Sequence, residues 1–455
     1  MKIKSVNPHD GSINQVYQTY NRQKVKNIVT KAQKAYLEWS RISYENRAKS
    51  LSKVAELLEK RETKLSEMMT NEMGKTISSG LAEIRKCAWV CKYYAQNGKR
   101  FLKDEEIETE APKSYVTFNP LGIILAIMPW NFPFWQVFRF WAPAMIAGNA
   151  TILKHASNVP GCALLIEKLI NEAVLPKDIF QSVLIPAKNV DFLINNPYIK
   201  AVTMTGSSSA GKSVATQAGK VLKKTVLELG GNDPYLILED ADLEKAANLC
   251  YQSKMINAGQ SCIAAKRFIV ERKIASEFID FFYQLMKNTI QGDPTNSETK
   301  LGPMARIDLR SNLHEQVRKS IVKGAKCILG GKIPKGKGAY YPATILTDVK
   351  AGMPAYEEEL FGPVATIITV NNQKEAVRIA NDSRFGLGAA VFSKDLEKAE
   401  RIAKHDLKAG SCFVNSFVKS DPRLPFGGIK DSGYGRELSS YGIKEFVNIK
   451  TVYLE

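Results

Sequence analysis

The hydrophobic pattern divides the chain into a helical opening and a long alternation of strands and helices. Between Ser43 and Leu102, the residues Leu51, Val54, Leu57, Leu58 and Leu65 recur at helical spacing among charges, which predicts long amphipathic helices. Gly74 is the expected break. Tyr115 to Phe118 alternates as a strand, and Gly122 to Met128 is a continuous apolar run, as expected of a strand buried on both faces. A helix carrying Phe138 and Trp141 should follow. After it the pattern predicts a strand at Thr151–Lys154, a helix at Ala163–Ala173 and a strand at Ala201–Thr205. A small-residue loop, a helix from about Gly211 and a strand at Thr225–Leu229 come next. Strands alternating with helices specify a parallel sheet with crossover helices. The alternation resumes after about Gly230 and predicts a second α/β unit, and Phe446 to Leu454 reads as one more strand that must find a partner elsewhere.

Composition narrows this picture. With 455 residues, 44% apolar and 24% charged, the chain is a globular protein of two or three domains. Its most apolar region, Leu121 to Ala150, is interrupted by Pro129, Asn131, Pro133, Gln136, Arg139 and Pro143. A membrane span needs about 20 mostly apolar residues, so a buried strand and helix are expected there. The opening MKIKSVNPHDGS has no apolar run after its lysines, so no secretory leader is expected. The 7 cysteines are scattered without a CxxC pair, and none of the 4 histidines lies near one in a ligand spacing. These features point to a reduced, cytoplasmic compartment and to no metal. The net charge of +18 raises the question of nucleic acid. The lysines are interleaved with glutamates, as in LEKRETKLSE, so a solvated surface is expected, with no nucleic-acid or membrane partner.

Four short segments carry candidate chemistry. Gly206 to Ser213, GSSSAGKS, satisfies the GxxxxGK[ST] pattern of a P-loop NTPase between a strand and a helix, and YLILED at 235–240 resembles its acidic partner. Whatever its ligand, a helix N-terminus behind small residues attracts phosphate. Glu228, in VLELGGND, ends an apolar strand, where burial raises a carboxyl pKa toward that of a general base; a salt-bridged glutamate is the plainer alternative. Cys262, in NAGQSC, follows a glycine-containing loop and suits a nucleophile, or simply a small core residue. Asn131, in PWNFP, is held between prolines just past a buried strand. Its amide can donate to an oxyanion or cap the next helix.

Together these segments resemble the aldehyde dehydrogenase superfamily over essentially the whole chain. The motifs run in the family's order: PWNFP, KHAS, MTGSSSAG, LELGGNDP, GQSC, EEELFGPV and LPFGGIKDSGYGRE. The resemblance implies that Cys262 is the nucleophile, that Asn131 and the Cys262 backbone N–H hold the oxyanion, and that Glu228 activates the water that cleaves the thioester. It places Trp130, Asn131, Lys154, Ser157, Gly206, Ser207, Leu229, Glu359 and Phe361 at a nicotinamide dinucleotide. Many NAD-preferring relatives have glutamate where this chain has Ser157. A serine does not repel a 2′-phosphate and Lys154 can pair with it, so NADP is expected to be preferred and NAD accepted. The implied fold is α/β, with a Rossmann-like cofactor domain (1–102 and 121–228), an α/β catalytic domain (229–432) and a small β oligomerisation element (103–120 and 433–455). A homodimer or homotetramer follows from the family. Glu228 favours hydrolysis over transfer to coenzyme A.

Arg139 bears on the substrate. An arginine among the aromatics of FWQVFRFW needs an anionic partner. That partner is either a local glutamate or aspartate, or the carboxylate of the substrate. The run NFPFWQVFR and the ending SGYGREL are similar to the short bacterial succinate-semialdehyde dehydrogenases, which makes Arg139 a substrate clamp, helped by Ser420 or Arg423. Another small or medium aldehyde is the alternative. Ile256 and Ala264 stand where some relatives carry a second arginine and a redox-switch cysteine.

Overall fold

The computed structural model describes residues 2–455. The opening helices form at Tyr44–Lys60, Glu62–Met73 and Ile77–Phe101, burying Leu51, Val54, Leu58 and Leu65 as their spacing requires. Gly74 closes the second of them with left-handed backbone at φ 75°. A Cβ there would meet Pro303 at 2.8 Å, so conformation and space both demand glycine.

Behind these helices lies a six-stranded sheet. Its order is Gly433–Tyr434, Lys224–Glu228, Ile199–Thr205, Ile123–Met128, Ala150–His155 and Phe180–Ser182. The apolar run at Ile123–Met128 is central because only a strand covered on both faces can be apolar throughout. Leu125 pairs in parallel with Ile152 on one side and Val202 on the other. The chain moves outward from this strand through Ala150–His155 to Phe180–Ser182. It then crosses to the other side for Ile199–Thr205 and Lys224–Glu228. Ligands bind outside the carboxyl ends of strands at such a reversal.

A second sheet has seven strands, in the order Lys326–Leu329, Thr344–Thr347, Val364–Val370, Arg267–Glu271, Pro234–Ile237, Gly388–Phe392 and Ser411–Val414. Alternate residues feed the cores on its two faces, Leu236, Ile269 and Ile368 on one and Tyr235, Phe268 and Ile367 on the other. A third sheet joins Glu105–Glu106, Lys113–Pro120 and Val447–Leu454, all antiparallel.

Three details depart from the sequence expectations. The helix expected from about Gly211 starts at Ser208, because the Ser207 side chain caps it. The segment 433–455 divides: Gly433–Tyr434 joins the edge of the first sheet opposite Leu227 and Glu228, and only Val447–Leu454 joins the third. Between them the helix Ser439–Lys444 docks on the opening helices, where the Tyr94 hydroxyl donates to the Ser439 carbonyl at 2.9 Å. A two-stranded ribbon at Lys2–Val6 and Ile13–Gln18 escaped the pattern, its second strand being largely exposed. All seven cysteines are unpaired. Among the described residues no helix is long and apolar enough to cross a membrane.

Candidate active site

Three strand ends of the first sheet meet in one cavity of about 270 Å³. Pro129, Trp130 and Asn131 follow the central strand, Gly206 and Ser207 follow its neighbour, and Leu229 and Gly230 follow the next. Glu359 and Phe361 reach in from the second sheet, with the Phe361 ring edge-on to Trp130 at 5.8 Å. The helix Ser208–Lys220 begins directly after Gly206 and Ser207 of the wall, with Ser207 as its N-cap. Glu359 accepts from the Gly231 backbone N–H at 3.1 Å and pairs with Lys266 at 3.2 Å. A Cβ on Gly230 would lie 2.6 Å from the Glu359 carboxylate, which explains a glycine in LELGGND. Lys212, the lysine of the phosphate-loop pattern, is largely exposed and pairs instead with Asp431 at 3.3 Å.

A second cavity, of about 310 Å³, lies beside the first and is lined by Lys86, Phe132, Trp135, Arg139, Ile256 and Ser420 among others. Cys262 borders both. Its loop is unusual: Asn257, Ala258 and Gly259 all have left-handed backbone, at φ 52°, 55° and 73°. Such conformations cost a non-glycine residue of order 1–3 kcal/mol and persist only where the surroundings fix them. Here they are fixed several times over. The Asn257 amide donates to the Asn131 carbonyl at 2.7 Å, and the Gln260 side chain accepts from Ala305 N–H at 2.9 Å. Lys266 donates to the carbonyls of Ser261 and Cys262. A Cβ on Gly259 would fall 2.0 Å from the Gly362 carbonyl oxygen, so the backbone of EEELFGPV presses directly on the cysteine loop. The buried Asn131 amide gives one N–H to the Gln260 carbonyl at 3.1 Å, leaving its second N–H free. Burial pushes the Cys262 thiol up to about 11, against the downward pull of Arg139 and Lys266.

Glu228 is fully buried, and neither carboxylate oxygen has a hydrogen bond. Burial, and next the charge of Glu437, hold its pKa well above the usual carboxylate range. It borders neither cavity; its carboxylate packs against Gly427, where a Cβ would come within 2.6 Å. Arg139 borders the second cavity, yet its guanidinium is committed within the protein. It forms an ion pair with buried Glu437, stacks 4.5 Å over the Phe426 ring and donates to the Thr205 hydroxyl at 3.4 Å. The structure therefore supplies the local glutamate that the sequence left open as Arg139's partner. Arg423 is engaged by Asp421 at 2.7 Å and does not line the cavity.

The structure thus gathers Trp130, Asn131, Gly206, Ser207, Leu229, Glu359, Phe361 and Cys262 on one wall, and Arg139 with Cys262 on the other. Lys154 and Ser157 stand apart from both. Lys154 is buried at the end of the strand Ala150–His155, with no carboxylate at ion-pair distance among the described residues, and burial lowers its pKa. Ser157 is exposed beyond it. Thr205, Leu309, Lys86, Phe132 and Trp135 also line the cavities and were not singled out from sequence. For Trp135 the signal was present, because it sits one helical turn before Arg139. Lys86 offered none, being one lysine among many on an amphipathic helix. Among the described residues, no group of three or more His, Cys, Asp or Glu side chains could hold a metal ion.

Comparison with known proteins agrees with this geometry. Residues 1–452 match the aldehyde dehydrogenase family. A probable NADP(+) succinate-semialdehyde dehydrogenase from Synechocystis is 46% identical over 454 residues, covering 100% of both chains. An NAD(P)+ succinate semialdehyde dehydrogenase from Escherichia coli is 43% identical, covering 99% of this chain and 97% of its own. Among solved structures, succinic semialdehyde dehydrogenase from Streptococcus pyogenes, in complex with NADP+, superposes with a TM-score of 0.97 at 36% identity over 99% of each chain. On the full-length match, the strand-end cavity and the cysteine shared between two cavities, the chain belongs to the aldehyde dehydrogenase family.

Proposed function

We propose that this protein oxidises succinate semialdehyde to succinate with NADP or NAD, through a thiohemiacetal and a thioester on Cys262. One observation carries the reading: Cys262 borders both cavities, so an aldehyde in one meets a cofactor in the other at its sulfur. The residues present fit a dinucleotide. Gly206, Ser207 and the start of the helix Ser208–Lys220 offer backbone N–H groups to a pyrophosphate. Trp130, Leu229 and Phe361 would give a nicotinamide apolar walls, and Glu359 would accept from its ribose hydroxyls. Lys154 is an uncompensated buried cation, and exposed Ser157 adds no negative charge beside it, which favours a 2′-phosphate and hence NADP.

The chemistry begins with a proton. The thiol must lose it to attack, and its raised pKa means that a base has to take it. A solvent water takes it, and Glu228, held above the usual carboxylate range by burial, is reserved for the later hydrolysis once its side chain turns from Gly427 toward the cysteine. The thiolate adds to the aldehyde carbon. The free Asn131 N–H and the Cys262 backbone N–H hold the oxygen that becomes negative. Trp130, Leu229 and Phe361 would hold a nicotinamide beside this carbon, and the cofactor would supply the acceptor for its hydride. The thioester that remains is cleaved by water, whose proton goes to Glu228, and succinate departs. Within the second cavity, the apolar walls of Phe132, Trp135 and Phe417 suit a short chain.

The seven unpaired cysteines suit a cytoplasmic enzyme. The edge strand Val447–Leu454 presents exposed Ile449, Tyr453 and Leu454, which suits a homodimer or homotetramer joined at that sheet.

The test follows reduced-nicotinamide absorbance with succinate semialdehyde and with butyraldehyde, each with NADP and NAD. Succinate semialdehyde with NADP should be fastest, and Cys262→Ala should abolish every rate. Equal rates for the two aldehydes would leave the family chemistry standing and remove the substrate assignment.

A further inference from the structure

We propose that Lys86, together with Ser420, is the receptor for the substrate carboxylate in the second cavity. The inference rests on the succinate-semialdehyde reading and names the groups that would enforce it.

The electrostatics of the cavity wall single out Lys86. Five charged side chains border it or lie against its rim, and three of them are neutralised within the protein. Arg139 is paired with Glu437. Glu83 is paired with buried Lys75 and also accepts from the backbone N–H groups of Phe134 and Trp135, each at 2.9 Å. Asp421 is held by Arg423 through two bonds, at 2.7 and 2.9 Å. Lys419 borders the cavity too but is exposed, where solvent screens its charge. Lys86 has no carboxylate at ion-pair distance among the described residues, yet it is largely enclosed, and burial lowers its pKa to about 8. An enclosed cation without a counter-ion on the wall of a ligand cavity is complementary to an anion.

Its surroundings orient that charge. The Lys86 ammonium lies 4.2 Å over the Trp135 ring and donates to the Ser420 hydroxyl oxygen at 2.8 Å. The Trp135 indole N–H donates to the same oxygen at 3.1 Å. Both lone pairs of Ser420 are therefore used, and its own O–H must donate elsewhere. Two further ammonium hydrogens on Lys86 are also unspent. The helix Ile77–Phe101 and the loop after Ser411–Val414 thus bring several donors to one corner of the cavity that Cys262 borders. A carboxylate accepts from all of them at once. The aldehyde at its other end is then delivered to the sulfur.

The experiment compares kcat/KM for succinate semialdehyde and butyraldehyde in the wild type, Lys86→Met, Lys86→Arg, Ser420→Ala and Arg139→Met. Lys86→Met should lower the ratio of the two substrates at least 30-fold, chiefly through KM for succinate semialdehyde. Lys86→Arg should restore most of it, and Ser420→Ala should lower it by a few-fold. Independently of turnover, succinate should quench tryptophan fluorescence in the wild type through Trp135 and should bind at least tenfold more weakly to Lys86→Met. Butyrate should bind weakly to both. A ratio unchanged in Lys86→Met but collapsed in Arg139→Met would overturn the proposal in favour of Arg139. Should Lys86→Met fail to fold, an unchanged ratio in Ser420→Ala together with equal wild-type quenching by succinate and butyrate would overturn it as well. A wild type that prefers neither aldehyde would remove the substrate reading itself and the proposal with it.

Discussion

The two cavities that meet at Cys262 are built by different means. The cofactor-side cavity leans on backbone features of one sheet, its strand ends, a helix start and glycines at the point where the strand order reverses, with Glu359 and Phe361 reaching in from the second sheet. The substrate-side cavity is mostly side chain: Lys86 from an opening helix, Trp135 and Arg139 from the helix after the central strand, Ser420 from a distant loop. On the proposed function, backbone donors would hold the dinucleotide. Side chains would then select the aldehyde, and they can be exchanged without disturbing the sheet.

Three substitutions sharpen that contrast. The largest effect is expected where the chemistry serves both cavities. Glu228→Gln should lower steady-state turnover about 100- to 1,000-fold, because water attack on the thioester loses its base. Rapid mixing should still show a burst near one equivalent of reduced nicotinamide, since hydride transfer comes first; a burst lost in proportion to turnover would assign Glu228 to thiol activation instead. A middling effect is expected on the backbone-built side, where one side chain does discriminate. Ser157→Glu puts a like charge beside a 2′-phosphate, which at about 2 kcal/mol is roughly 30-fold in the NADP/NAD ratio of kcat/KM. An unmoved ratio would place the 2′-phosphate elsewhere. The smallest effect tests the phosphate-loop pattern. Lys212→Ala should change the oxidation rate less than about twofold, because its ammonium sits in solvent with Asp431, where exposed pairs contribute little. A large loss would return Lys212 to the ligand.

The same contrast explains what the sequence disclosed. The places of Gly206 and Leu229, directly after strands, and of Asn131, three residues past one, were legible because apolar runs announce those strands, while the cofactor roles of Gly206 and Leu229 came with the family resemblance. Cys262 was legible only with its motif, since its exposure to both cavities depends on left-handed residues that no periodicity reveals. Arg139 was rightly judged to need an anion, but its partner Glu437 comes from nearly three hundred residues further on, and no local pattern connects them. Lys86 was silent because its meaning is the absence of a counter-ion, a property of the folded surroundings and not of the helix that carries it.

The return of Gly433–Tyr434 to the first sheet carries a consequence for how the protein is made. The ion pair with Arg139 and the charge beside Glu228 both come from Glu437, which follows that strand. The Asn149 amide, at the base of the same sheet, reaches the Phe446 carbonyl at 2.9 Å. A nascent chain therefore cannot finish its first sheet, or set the basicity of its glutamate, until these late residues emerge from the ribosome. A product stalled or clipped before Gly433 lacks both the edge strand of its first sheet and the counter-ion of Arg139.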